Sequence, residues 1–236
     1  MSGTLHGRRM IGCSSDSGSG LGSSGGECEA RGGVAARAPG CGDDASAQAA
    51  PPLFTVLDTC VLISNVLRRI LLGMAAQGRL QPVWSTVIGD EWRRNASRIW
   101  KVPLDDLQGQ WAQMQQAFPL ADQGDVESFK AGLRFSDVKD WHVIAAGRSA
   151  LAASQGASVA VVTRNTRDFN RAELRKLGLH LMDPDRLLVE YWATDRELLL
   201  ELVYDICEDA AQKDEAVTAM LKRERLFRFN KLLEAA

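Results

Sequence analysis

The chain has 236 residues, 25% of them charged and 45% apolar, with 28 Lys and Arg against 30 Asp and Glu. That length suits one sizeable core with an appendage, and the near-neutral balance excludes a polybasic binder whose affinity comes from bulk phosphate neutralisation. No apolar run reaches the roughly 18 to 20 residues of a membrane span, because the most apolar stretch, 53–76, is broken by Asp58, Asn65, Arg68 and Arg69.

Residues 1–50 hold 12 of the 21 glycines, eight serines and three of the five cysteines. Such a Gly/Ser-rich segment buries too little apolar surface to offset the entropy of ordering it, so no packed structure is expected there. Arg8 and Arg9 are followed by no apolar core of a secretory signal. Cys13, Cys28 and Cys41 are spaced too widely for a zinc pattern, and Cys60 and Cys207 read as small hydrophobes in a reducing cytoplasm.

From Leu53 the pattern changes. Leu53, Phe54, Thr55, Val56 and Leu57 predict a buried strand ending at Asp58. Helical spacing runs from Thr59 to Ala76, closed by Gly78, and Pro82 to Trp84 predict a second strand. Ser85 is placed to cap a helix reaching Trp100, Pro103 to open another reaching Phe118, and a shorter helix is expected near 123–132. A long alanine-rich helix follows from Ser136 or Asp137 to Gly156, then an almost wholly apolar strand over Ser158 to Val162, as a parallel strand covered on both faces requires. Asn170 with Glu173 has the form of a capping box for a helix ending near Gly178, and Leu179 to Met182 make a last strand. Strands separated by helices predict a three-layer α/β/α domain on a central parallel sheet over 51–188. The chain beyond it, 189–236, reads as a helical C-terminal extension, with Leu198, Leu202, Ile206, Val217, Leu221 and Leu232 on amphipathic faces.

Parallel sheets gather ligands beyond the carboxyl ends of their strands, which directs attention to the acids there. Asp58 ends the first strand, and Asp168 follows the third in the run Thr163-Arg164-Asn165-Thr166-Arg167-Asp168. Glu91, Asp137 and Asp140 are the other acids able to reach that edge. Each has a plainer reading: Asp58 as a helix cap, Glu91 as the partner of Arg94, and one of Asp137 and Asp140 as a cap for the long helix. The only histidines are His6, His142 and His180, so no zinc-like cluster exists; His142, roughly 200° around a helix from Asp140, reads as structural.

Four blocks together resemble the PIN-domain ribonucleases, and within them the toxin-type VapC-like members. They are Leu57-Asp58-Thr59-Cys60-Val61-Leu62; Trp84-Ser85 followed by Asp90-Glu91-Trp92-Arg93-Arg94-Asn95; Asp137-Val138-Lys139-Asp140-Trp141-His142-Val143-Ile144-Ala145-Ala146; and Thr163 to Phe169. The resemblance implies that Asp58, Glu91, Asp140 and Asp168 form an acidic quartet holding Mg²⁺ or Mn²⁺, with Asp137, Thr163 and Asn165 as secondary positions; Asn165 stands where many members carry another Asp. It implies a metal-dependent endoribonuclease, an RNA substrate, an antitoxin partner and a homodimer. Hard divalent cations do prefer such oxygen donors to histidine or cysteine cages. Arg164, Arg167 and Arg94 are candidate phosphate contacts, weighed against solvated helix faces. A haloacid-dehalogenase-like phosphatase would need a second Asp after Asp58, where Cys60 stands; a dinucleotide site would need a Gly-rich turn there. The remaining alternative is a non-catalytic PIN-like scaffold that binds RNA or a partner.

Overall fold

Four short, largely apolar runs make the sheet. The computed structural model describes residues 53–154, 156–209 and 217–235; the glycine-rich 1–50 segment lies outside them. Strands β1 (Leu53–Leu57), β2 (Leu80–Val83), β3 (Val159–Val162) and β4 (Leu179–Met182) pair in parallel in the order β2-β1-β3-β4. All four residues of β3 are buried, so the strand is covered on both faces. Pro82 is accommodated because β2 is an edge strand, where a missing ladder donor is tolerated. From β1 the chain steps to β2 on one side, whereas β3 and β4 extend the other side, so strand order reverses between β1 and β3. Their register pairs Leu57 with Val162 and sets Asp58 beside Thr163 at that reversal, where open parallel sheets bind ligands.

The expected helix over 59–76 is two helices, α1 (Thr59–Leu62) and α2 (Asn65–Ala76). Ser64 breaks it: its extended backbone and its Oγ, accepting from Leu67 N at 3.1 Å, start α2 afresh. Helices α3 (Thr86–Trp100) and α4 (Leu104–Ala117) follow their predicted starts, with Ser85 capping α3. The helix expected near 123–132 is reduced to one 3₁₀ turn, Glu127–Lys130. Gly124 and Gly132 there adopt φ of 62° and 84°, left-handed values that end regular helix on either side. The long helix α5 begins only at Trp141 and runs to Ala153, because a 3₁₀ turn, Val138–Asp140, occupies its expected first residues. Helix α6 (Arg171–Lys176) joins β3 to β4.

An aromatic cluster seats α3. The Trp111 ring centroid lies 5.4 Å from that of Trp84 and 5.7 Å from that of Trp92, and Trp92 Nε1 donates to Leu62 O at the end of α1. Gly89 is required here: a Cβ on it would come within 2.5 Å of the Trp111 ring. Gly89→Ala is therefore expected to lower stability by about 1–3 kcal/mol through overpacking, read as a reduced urea midpoint. An unchanged midpoint would show that α4 moves freely on α3.

Beyond β4, α7 (Pro184–Asp209), α8 (Val217–Arg223) and α9 (Phe227–Glu234) are helical as expected. Helix α7 runs through residue 188 and is interrupted only at Asp195, whose backbone is non-helical and whose carboxylate meets Arg79 Nε at 2.8 Å. Leu199, Val203, Ile206, Leu221 and Phe229 are buried, with α7 lying on α2 and α9 on α7. No helix among the described residues is long and apolar enough to cross a membrane.

Candidate active site

Asp58 is at the N-cap of α1, yet its side chain makes no capping hydrogen bond. The buried carboxylate turns across the strand reversal instead: Thr163 Oγ1 donates to Oδ2 at 2.6 Å and Cys60 Sγ lies 3.0 Å from the same oxygen. Its backbone N–H meanwhile donates to Val162 O at 3.2 Å. Cys60 is thus part of the site rather than core filling, and it also accepts from Arg164 N at 3.2 Å. Burial, reinforced by the Asp58 charge, pushes its thiol up to about 12, so Cys60 stays protonated.

The two acids around the 3₁₀ turn divide their roles. Asp137 caps it, accepting from Lys139 N at 3.0 Å, while Asp140, at the N-cap of α5, makes no capping bond. Asp137, Asp140 and Asp168 each offer a carboxylate oxygen within 4.8 Å of the others, the one such group among the described residues. A backbone bond from Asp137 N to Asp168 O, 2.8 Å, joins their loops. Asn165 Nδ2 donates to Asp168 Oδ2, and its backbone N–H donates to Thr163 Oγ1 at 3.0 Å. Thr163 therefore connects the Asp58 end of the site to the Asp168 end. Burial, then the charges of Asp58 and Asp168, pushes Asp140 up to about 6.

Glu91, on α3, lies against Thr59 and is not in the tight carboxylate group. It faces Thr59 and His142 rather than Arg94: Thr59 Oγ1 donates to Oε2 at 3.2 Å, and His142 Nε2 lies 3.3 Å from the same oxygen, an ion-pair distance without good hydrogen-bond alignment. Burial opposes ionisation of Glu91, but His142, with Thr59 and Arg94, outweighs it and holds the carboxyl below its ordinary value. Burial likewise works against the imidazolium, and Glu91 and Asp58 override it to raise His142 above 6.5. His142 thus faces Glu91, a contact that its helical offset from Asp140 did not suggest.

Of the candidate phosphate contacts, Arg164 is engaged by Glu224 of the tail, both through its carboxylate and through Glu224 O at 3.2 Å. Ser64 Oγ donates to the same carboxylate at 2.7 Å. Arg94 donates from Nε to Asp90 O at 3.3 Å, and exposed Arg167 meets no partner among the described residues.

Sequence reasoning missed Glu173. Asn170 does cap α6, accepting from Glu173 N at 2.9 Å, but the Glu173 side chain does not close the capping box. Its buried carboxylate accepts from the backbone N–H groups of Arg134 at 2.8 Å, Phe135 at 3.2 Å and Ser136 at 2.9 Å, and from Ser136 Oγ at 2.7 Å. Ser136 Oγ in turn accepts from Asn170 N at 3.0 Å. One carboxylate therefore fastens the loop leading into Asp137 and Asp140 to the helix start that follows Asp168. The Asn-x-x-Glu spacing was the visible signal, but it pointed to a local partner.

All donors in the tight group are carboxylate oxygens, which suits a hard divalent cation and not zinc. The raised pKa of Asp140 comes first from burial and then from repulsion by Asp58 and Asp168, and such a cation would relieve the repulsion. Without metal, the ionisation of Asp140 costs stability as pH rises from its ordinary 3.8 through about 6. Asp140→Asn should therefore be more stable than wild type at pH 8 by about 1 kcal/mol, after solvent screening, and should melt no higher on adding Mn²⁺. Calorimetry at pH 5 and pH 8 checks both; equal wild-type and variant profiles would remove the repulsion. No protein-family model, curated protein or solved structure matches this chain.

Proposed function

We propose that the chain is a metal-dependent endoribonuclease on a PIN-like three-layer α/β/α domain. The observation that carries this reading is convergence: Asp58 beside the strand reversal couples electrostatically to Asp140, which shares a tight oxygen-donor group with Asp137 and Asp168. These acids come from three separate segments, and local capping accounts only for Asp137.

Asp58, Asp140 and Asp168 would hold Mg²⁺ or Mn²⁺, with Glu91 completing the site directly or through water. When bound, the cation would neutralise charge on the scissile phosphate and lower the pKa of the attacking water. The chain's own part is preorganisation. Thr163 holds the Asp58 carboxylate in one orientation, Asn165 does the same for Asp168, and Glu173 fixes the loop between them. His142 and Thr59 keep Glu91 ionised. Arg167, exposed one residue before Asp168, can position RNA phosphate without reading sequence.

Incubating purified protein with RNA and Mn²⁺ tests the reading. Cleavage should leave 5′-phosphate and 3′-hydroxyl ends, as attack by water with a departing 3′ oxygen requires, and EDTA should abolish it. RNA binding without metal-dependent cleavage would favour the non-catalytic scaffold. The toxin role, with an antitoxin partner, a homodimer and a cytoplasmic setting, is proposed from the resemblance. Growth arrest on expression, relieved by the product of an adjacent small gene, is its test.

A further inference from the structure

The loop fastened by Glu173 presents two large apolar side chains to solvent, Phe135 at 71% and Val138 at 68% exposure, on either side of Asp137. Single exposed apolar residues are ordinary. Phe135 differs because its own N–H is bound to Glu173, so the ring is carried on a fixed backbone. It also lines a groove of about 370 Å³ with Asn170, Lys176 and Leu177. The groove's walls are the 132–135 stretch, which ends two residues before Asp137, and helix α6, whose cap Asn170 follows Asp168 by two residues. Phe135 and Asp137 are two residues apart, at most about 7 Å of extended chain, so an RNA strand at the acids passes the ring within about one nucleotide. Lys176 is exposed and lines the same groove, giving it a positive charge.

We propose that this groove is a nucleobase subsite: one base of a single-stranded RNA stacks on Phe135 while Lys176 meets the adjoining phosphate. The assignment rests on the nuclease reading and specifies its substrate as unpaired RNA. Stacking on an aromatic ring is tolerant of base identity, so the subsite selects single strands over duplexes rather than one sequence. The buried Glu173 contact makes the platform rigid, which limits the ordering cost of binding.

The test is fluorescence anisotropy of the full chain with fluorescein-labelled 12-nucleotide oligouridylate and oligoadenylate, using Ca²⁺ as the cation. Phe135→Ala should weaken binding of both by about 5- to 100-fold, Phe135→Trp should restore it, and duplex RNA of the same length should be insensitive to either change. Lys176→Gln should reduce the slope of log affinity against log salt by about 0.7. Equal affinity for wild type and Phe135→Ala, or wild-type protein that binds no single strand, overturns the subsite. A change of oligomeric state in Phe135→Ala with RNA affinity unchanged also overturns it and makes the face a contact between two copies of the chain. Cleavage with Mn²⁺ is measured in parallel. Binding that does not depend on Phe135, with cleavage intact, defeats only the subsite, whereas Phe135-dependent binding without cleavage defeats only the nuclease reading.

Discussion

Asp58→Asn is expected to reduce metal-dependent RNA cleavage by about 10²- to 10³-fold, since it removes a charged cation ligand worth several kcal/mol at the transition state. The substitution preserves shape, and Thr163 can still donate to the remaining oxygen, so the variant should melt no lower than wild type. A second readout does not depend on activity. Burial and the Asp58 charge hold the Cys60 thiol up at about 12, so neutralising Asp58 must lower that pKa and speed Cys60 alkylation at pH 9, followed by peptide-resolved mass spectrometry. Full cleavage by Asp58→Asn would eliminate the proposed metal site. Unchanged Cys60 reactivity would instead contradict the geometry at the strand reversal.

Glu173→Gln should cost about 2–4 kcal/mol of stability, because an amide NH₂ would be pushed against N–H donors that now share a carboxylate. Cleavage should fall about 10- to 100-fold with a weaker Mn²⁺ requirement curve, the usual effect of disturbing a group that orients metal-bearing loops. Burial opposes the Glu173 charge, but Ser136 and the backbone N–H groups of Arg134 and Phe135 prevail, leaving its pKa below 4.5. Its ionised form therefore contributes in full above pH 4.5, and that contribution is lost as pH falls through the lowered folded value. Wild type should show a steeper acid destabilisation below pH 4.5 than Glu173→Gln. Identical melting and cleavage would show that the loop holds its shape without the carboxylate.

Much of the scaffold was legible in residue order. Hydrophobic runs of four or five residues located β1, β3 and β4, and Ser85 and Asn170 marked the starts of α3 and α6. These features follow from short-range rules: which face is apolar, and which side chain can accept from an N–H three residues on. Local rules also explain the misplacements. Apolar spacing continued across Ser64, so two helices read as one, and the helix expected near 123–132 is one that Gly124 and Gly132, at positive φ, do not allow.

Sequence by itself placed Asp58, Asp140 and Asp168 at strand ends or helix starts, and it left a capping alternative open for each of the first two. Only the tertiary structure decided between these readings. Asp58 gives up its capping role for Thr163, 105 residues away, Glu173 binds a loop 37 residues upstream, and Glu224 reaches Ser64 across 160 residues to hold Arg164 as well. The physical reason is that a buried carboxylate must take the strongest donors within reach once the chain is packed. Those donors are set by how strands register and loops close, which residue spacing along the chain does not encode.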